Sequence, residues 1–335
     1  MLLYALSNDL MHWKGKFMLK EEKQIGLDRM CLTVNYDDLV IEGDDLSVID
    51  VKDGAIVLRP NAFHKDLVDI MVNAPKLFYA TNERNVTTDK MFNLIEVIQE
   101  QLEEHGILAD IGNIKLGSFE VNYNIDDSKF YDVFALIGKA NINDNLKAFY
   151  VEDKNGIQSV KIKKQRYTVK IYKKSEHLQE RFEPTEEDTV VRFEVSTNSD
   201  KEKQKIMGDD LTLRGLIENW ERVEDWYRNC IKLTVKKPIE KYVADMEKQC
   251  IEKLEAGLRP TDVITWLMLR QDLVDVVVFE GAIKKHYKKH KKSSPTSVIK
   301  SAHKRLQNTN EKRYKETTGN VQKMHEFYEL IGLEK

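Results

Sequence analysis

The sequence predicts an α+β fold: an antiparallel sheet with helices on one face, followed by a helical C-terminal domain. Three patterns carry this expectation. Residues 114–125 alternate strictly, with Phe119, Val121, Tyr123 and Ile125 on one side and Ser118, Glu120, Asn122 and Asn124 on the other. Such alternation marks a strand with one apolar and one polar face. Before residue 60, apolar runs are separated by Gly-Asp-Asp and Asp-Gly turn signals, as in hairpins or a β-meander. From Leu211 onward the apolar period changes to that of helices.

Taken in order, the elements divide as follows. Residues 31–35, 39–42, 46–51 and 55–58 read as short strands. A helix spans 88–106, capped by Thr88, striped by Met91, Leu94, Ile95, Ile98 and Leu102, and ended by Gly106. After the strand at 114–125 comes a helix at 128–138, then strands at 147–151, 157–174 and 189–196. The polar stretch 198–210 is the expected domain boundary. It separates a β-rich domain (1–200, itself divisible into 1–75 and 76–200) from a basic helical domain (205–335). Helices are expected at 211–230, 238–256, 261–269, 272–290, 296–306 and 321–331. Trp220, Trp226 and Tyr227 lie at helical spacing and read as core.

Composition narrows the function classes. At 41% hydrophobic and 33% charged, the chain can fill a core, and 6 prolines with 15 glycines argue against a long linker. The most apolar stretch, residues 274–279, is far shorter than the ~20 residues of a membrane helix. Residues 1–13 lack a basic segment and a small-residue cleavage site, so no signal peptide is expected. Cys31, Cys230 and Cys250 form no CxxC pair, which fits free thiols in a reducing, cytoplasmic setting.

Charge is unevenly distributed. Residues 281–315 hold 12 Lys/Arg against Glu311 alone, a surplus of +11, so the rest of the chain carries −14 within the net −3. A second run, 160–174, has seven Lys/Arg and no acid. One such run is often a solvated face; two in an otherwise acidic chain point to a polyanion, here nucleic acid. The expected phosphate contacts are Lys163, Lys164, Arg166 and Arg192, and Lys284, Lys285, Lys288, Lys289, Lys291 and Lys292. Tyr287 and Tyr314 lie in the basic segment and would either stack on bases or be partly buried.

The period of two places Lys170, Tyr172 and Lys174 on one face of their strand, and Arg192, Glu194 and Ser196 on one face of the last. If these strands neighbour 114–125, one open face gathers Glu120, Glu194, a phenol and several cations. Glu120, Glu194 and Asn122 offer oxygen ligands to Mg2+ or Mn2+. Tyr172 could attack phosphorus, with Lys170 and Lys174 favouring its phenolate. The plainer alternative is that these are ordinary strand residues. His286 and His290, at i and i+4, could share a metal, although lysines surround them. The chain has no P-loop, dinucleotide glycine motif or HExxH.

The segments GSFEVNYNI, VKIYKKSEHL and VVRFEVS, in this order, resemble the replication initiation proteins of rolling-circle plasmids and filamentous phages. KLFYATNERN and the run from Glu104 to Ile125 are similar to the phage-type members, so the resemblance covers roughly residues 76–198. It implies a DNA endonuclease of replication that nicks and rejoins one strand at an origin, remaining attached through tyrosine. Tyr172 would then be the nucleophile, and Glu120 and Glu194 ligands of the metal. A host helicase and a second copy of the chain are possible partners on the same resemblance. Glu120 stands where that family more often has Asp, Ser118 where it has Arg, and Lys173 where it has Asp or Asn; no His-hydrophobic-His pair occurs. A non-cleaving, sequence-specific DNA-binding protein of the same ancestry is the alternative.

Overall fold

The computed structural model describes residues 25–41, 48–79, 85–86, 88–126, 133–142, 147–153, 156–174, 190–269, 276–292, 294–309 and 320–334. The readings on residues 1–13, the end of VKIYKKSEHL, Glu311 and Tyr314 fall outside these. The strands are β1 (Gly26–Asn35), β2 (Val40–Ile41), β3 (Ile49–Val51), β4 (Ile56–Pro60), β5 (Leu67–Asn73), β6 (Ile107–Leu108), β7 (Lys115–Asp126), β8 (Lys147–Asp153), β9 (Gly156–Lys163), β10 (Thr168–Lys173) and β11 (Val190–Thr197). The helices are α1 (Ala74–Tyr79), α2 (Thr88–Phe92), α3 (Leu94–Glu103), α4 (Val133–Ile142), α5 (Asp200–Met207), α6 (Leu213–Glu218), α7 (Trp220–Ile231), α8 (Lys237–Glu255), α9 (Pro260–Leu269), α10 (Val276–Lys289), α11 (Thr296–Thr309) and α12 (Asn320–Leu330). The expected class is thus observed: a large antiparallel sheet with a helical C-terminal region. No helix among the described residues is long and apolar enough to cross a membrane.

The chain clusters into two units, Met1–Asp126 with Lys163–Cys230, and Asp127–Ile162 with Ile231–Lys335. The boundary expected at 198–210 therefore lies inside the first unit. Residues after it stay with the sheet because they bury its apolar face. Phe119 meets the Trp226 ring edge-on at 5.2 Å, and the Tyr227 hydroxyl donates to the Phe193 carbonyl at 3.0 Å. Trp220, Trp226 and Tyr227 are all buried, as expected.

In the first unit the strands run in the order β3-β4-β5-β1-β7-β11-β10, with every described pairing antiparallel. The β1–β7 ladder slips twice. Leu27 faces Val121 while Arg29 faces Glu120, so Asp28 is an extra residue on β1. Cys31 faces Ser118 while Leu32 faces Leu116, so Gly117 is an extra residue on β7. Bulges of this kind re-aim side chains and leave backbone groups outside the ladder. At the second one, the buried Lys203 ammonium of α5 donates to the carbonyls of Leu116 and Gly117. Buried carbonyls need such partners.

Two expected elements are subdivided. The strand foreseen at 157–174 breaks into β9 and β10 around a turn in which Lys164 N–H donates to the Tyr167 carbonyl at 2.9 Å. The helix foreseen at 88–106 breaks at Asn93 into α2 and α3. Its stripe of Met91, Leu94, Ile98 and Leu102 is buried, and Gly106 ends it at φ 71. All three cysteines are unpaired.

In the second unit, β8 and β9 are hydrogen-bonded neighbours. A π-helical turn, Lys232–Lys236, leads into α8 without a break in helical backbone, and Pro238 follows directly where the hydrogen bonding changes from π to α. Cys250, Leu254, Val263, Ile264, Phe279 and Ile283 form an apolar cluster between α8, α9 and α10, with Tyr287 packed against it.

Gly26 opens β1 beneath Asn85 and Val86. A Cβ there would lie 2.6 Å from the Asn85 side chain and 3.1 Å from the Val86 carbonyl. Gly26→Ala is expected to cost roughly 1–3 kcal/mol, the usual range for overpacking. The midpoint of urea unfolding measures it, and an unchanged midpoint would mean that residues 85–86 shift without cost.

Candidate active site on the polar face of the sheet

The register of the central strands brings the expected residues together. On β11, Glu194 faces Asn122 of β7 and Lys170 of β10, while Arg192 faces Asn124 and Tyr172. Glu120 and Thr168 both face Ser196. The bulge on β1 adds Asp28, which the sequence reading did not single out. The signal was an Asp beside Arg29 between the apolar residues Leu27 and Met30, but an alternation rule has no place for an extra residue.

Contacts within the cluster are short. The Lys170 ammonium lies 2.5 Å from Glu194 Oε1 and 3.4 Å from Glu120 Oε1. The Tyr172 hydroxyl donates to the other Glu194 oxygen, Oε2, at 3.1 Å. Arg192 donates through Nε to Asn124 Oδ1 at 2.8 Å and through a terminal nitrogen to Asp28 Oδ2 at 2.7 Å. Asn124 in turn donates to Asn85 Oδ1 at 3.0 Å. One carboxylate oxygen each from Asp28, Glu120 and Glu194 lies within 4.8 Å of the others.

The polar face is not the open face that alternation implied. Asn122, Arg192, Glu194 and Asp28 are buried, while the Lys170 and Glu120 side chains, 34% and 24% exposed, and the half-buried Tyr172 and Asn124 give the cluster a rim. Burial governs the electrostatics. It raises the Glu120 carboxyl above its ordinary pKa, and the charge of Glu194 pushes in the same direction against Lys170. Burial also raises the Tyr172 phenol, reinforced by Glu194 and opposed by Arg192. The expectation that Lys170 and Lys174 favour the phenolate is therefore corrected. Lys170 is held by the two glutamates, and Lys174 lies beyond the end of β10 with its side chain buried. Tyr123, on the apolar side, is pushed up to about 12 by burial.

The residues fit a hard divalent cation. Asp28 Oδ1 and both amide atoms of Asn122 are buried without a hydrogen-bond partner among the described residues. Orphaned buried oxygens beside two further carboxylates form an oxygen donor set of the kind Mg2+ and Mn2+ prefer. Lys170 already supplies one positive charge there.

The expected phosphate contacts separate into groups. Lys163 is exposed at the β9–β10 turn, with Lys164 half-buried, and Arg166 lies 3.9 Å from Glu202. Arg192 is 0% exposed and committed to Asp28, so its sequence assignment as a phosphate contact is corrected: its charge holds the cluster together. In the second unit, Lys284 pairs with Glu280, Lys285 with Glu247, and Lys289 with Glu255. Lys288, Lys291 and Lys292 are exposed and make no ion pair with an acid among the described residues.

No protein-family model matches the chain, and no curated protein is significantly similar to it.

The raised Glu120 carboxyl gives a pH dependence with a definite sign. A group whose folded pKa exceeds its unfolded value stabilises the fold below the unfolded pKa, and that contribution is lost as pH rises through the folded pKa. Glu120→Gln is accordingly expected to stabilise the metal-free protein at neutral pH. The advantage should vanish as pH falls through the ordinary glutamate range near ~4. Thermal melts across pH measure this, and an advantage confined to low pH would contradict it.

Proposed function

We propose that the polar face of the sheet is a centre for nicking and rejoining a DNA strand, with Tyr172 as nucleophile. The observation that carries this reading is the hydrogen bond from the Tyr172 hydroxyl to Glu194, a carboxylate that also belongs to the Asp28–Glu120–Glu194 cluster. Glu194 is placed to take the phenolic proton. The Tyr172 oxygen then bonds to phosphorus, the bond from phosphorus to one sugar oxygen breaks, and that oxygen departs as a hydroxyl after taking a proton from water, while Glu194 returns the phenolic proton to solvent. The phosphotyrosine retains the energy of the broken ester, so the reverse reaction rejoins the strand without another energy source. Lys170, at the exposed rim, balances charge on the phosphate, and Arg192 opposes the rise in the phenol's pKa. A Mg2+ or Mn2+ ion held by Asp28, Glu120, Glu194 and Asn122 would add positive charge against phosphate oxygens.

A second reading is favoured by one contact. Lys170 bridges Glu120 and Glu194, so a built-in ammonium already does part of what a metal would do. On that reading the chain binds DNA without cutting it.

Incubation with an end-labelled single strand and Mn2+, followed by a denaturing gel, separates the two. Cleavage should leave a covalent adduct that Tyr172→Phe abolishes while DNA binding survives. Absence of an adduct with the parent under every divalent ion would favour the binding protein. An adduct that persists in Tyr172→Phe would assign the nucleophile elsewhere.

The basic segment makes a separate prediction. Lys288, Lys291 and Lys292, which have no acidic partner among the described residues, are the phosphate contacts expected to dominate. Replacing all three with Gln should flatten the dependence of log affinity on log salt by roughly three units, about one released counterion per contact. Replacing Lys284, Lys285 and Lys289 should change it less, and the opposite ranking would remove this assignment.

A further inference from the structure

We propose that Glu255, His286 and His290 form a binding site for a divalent transition-metal ion of the zinc type, independent of the sheet cluster. Glu255 is the last residue of α8, and the two histidines lie at the C-terminal end of α10. The His290 N–H donates to the His286 carbonyl at 3.1 Å, so the helical turn continues through His290 and both rings share a face. Their centroids are 4.5 Å apart. His290 Nε2 lies 3.0 Å and His286 Nδ1 3.4 Å from the same oxygen, Glu255 Oε1, and all three atoms fall within 4.8 Å of one another. Ligand atoms around a tetrahedral zinc with bonds of about 2.0–2.2 Å stand roughly 3.4 Å apart. Small side-chain shifts therefore admit the ion.

A second observation points the same way. His286 is only 5% exposed, and its Nδ1 atom, aimed at this point, makes no hydrogen bond. A buried ring nitrogen that makes no hydrogen bond and stands 3.4 Å from a carboxylate oxygen is where a metal bond would form. Burial, then the nearby Lys292 and His290, hold the His286 pKa below its ordinary value and so favour the neutral imidazole, the form that ligates.

Ligand chemistry selects the ion. Two imidazoles and one carboxylate suit zinc and its neighbours, not Mg2+, and three protein ligands leave a fourth position open. The surrounding lysines bear on the site directly. Lys289 lies 3.1 Å from Glu255 Oε1 and would yield to the ion; its side chain is 65% exposed and can do so. Lys292 lies 3.2 Å from His286 Nε2. A metal on Nδ1 places the ring proton on Nε2, so Lys292 turns away; it already lies 5.5 Å from the centre of the Tyr287 ring. The same lysines favour an anion in the fourth position.

Zn2+ added to the full chain after chelator treatment tests the site, with Mg2+ in large excess to occupy the sheet cluster. Competition against a chromophoric chelator reads the affinity, and Co2+ substitution reads the coordination through its visible absorption. One Zn2+ is expected per chain. His290→Gln and Glu255→Gln are each expected to weaken it on the order of a hundredfold. Both residues are exposed, and the melting temperature without metal checks that the variants fold. His303→Gln, which alters a second His–Glu pair at 2.7 Å from Glu280, should leave the affinity unchanged. Absence of Zn2+ binding by the parent, His290→Gln within about threefold of the parent, or an equal loss in His303→Gln would each overturn the proposal.

Discussion

The burial of Arg192 constrains the sheet more than any other interaction. A guanidinium that cannot be deprotonated has no neutral form to fall back on, so taking it out of water demands anionic and dipolar partners at fixed positions. Asp28 supplies the charge and Asn124 an amide oxygen. Asp28 reaches Arg192 from the position where β1 takes an extra residue. Arg192 thereby couples β1, β7 and β11, and Tyr172 faces it from β10. A one-residue slip of β11 would send this charge to the side now filled by Val191, Phe193 and Val195. Buried ion pairs often add little net stability against an apolar replacement, yet loss of one partner typically costs about 3–5 kcal/mol. The pair therefore acts chiefly on register and on where the carboxylates lie.

Much of this was legible in the sequence wherever period-two geometry operates without interruption. Glu120, Tyr172 and Glu194 were placed on one polar face from alternation, and the structure brings them within one hydrogen-bonded cluster. The opposing apolar faces were read correctly for the same reason. The failures have physical causes. Asp28 was missed because a bulge breaks the period on which the reading depends. Arg192 reads as a phosphate contact in the sequence because a sequence shows charge but not depth. The open face was an error of the same kind, since a polar residue buried among polar partners looks identical in sequence to one in solvent.

The basic segment shows a third limit. A window count over residues 281–315 sees almost no acid, yet Lys285 and Lys289 are paired with Glu247 and Glu255, from a helix 34–38 residues upstream. Packing of α8 beside α10, with both helices running the same way so that Glu247 meets Lys285 and Glu255 meets Lys289, brings these acids to lysines that local composition cannot associate with them. Such exposed pairs contribute little stability, typically below about 1 kcal/mol each. Their consequence is to divide one basic block into lysines already matched and lysines left to attract an anion. The acid that joins Lys289 also faces both histidines, so Glu255 is contested by cations and is held down to about 2 in pKa by His290 and Lys289.

The two clusters differ in how charge is balanced, and solvent is the reason. In the sheet, three carboxylates (Asp28, Glu120 and Glu194) meet two buried or half-buried cations, Lys170 and Arg192. Arg29 faces Glu120 from β1 but is exposed, where water screens it. The cluster is thus one positive charge short. Low local dielectric magnifies that shortfall, and Glu120, nearer the rim, absorbs it by favouring its protonated form. A proton on Glu120 and a cation among the carboxylates are alternative remedies for one deficit. The same deficit works against phenolate formation, because a second anion beside Glu194 would deepen it. Tyr172 can therefore ionise readily only when added positive charge reaches the cluster, which links cation binding and phenolate formation through one electrostatic quantity.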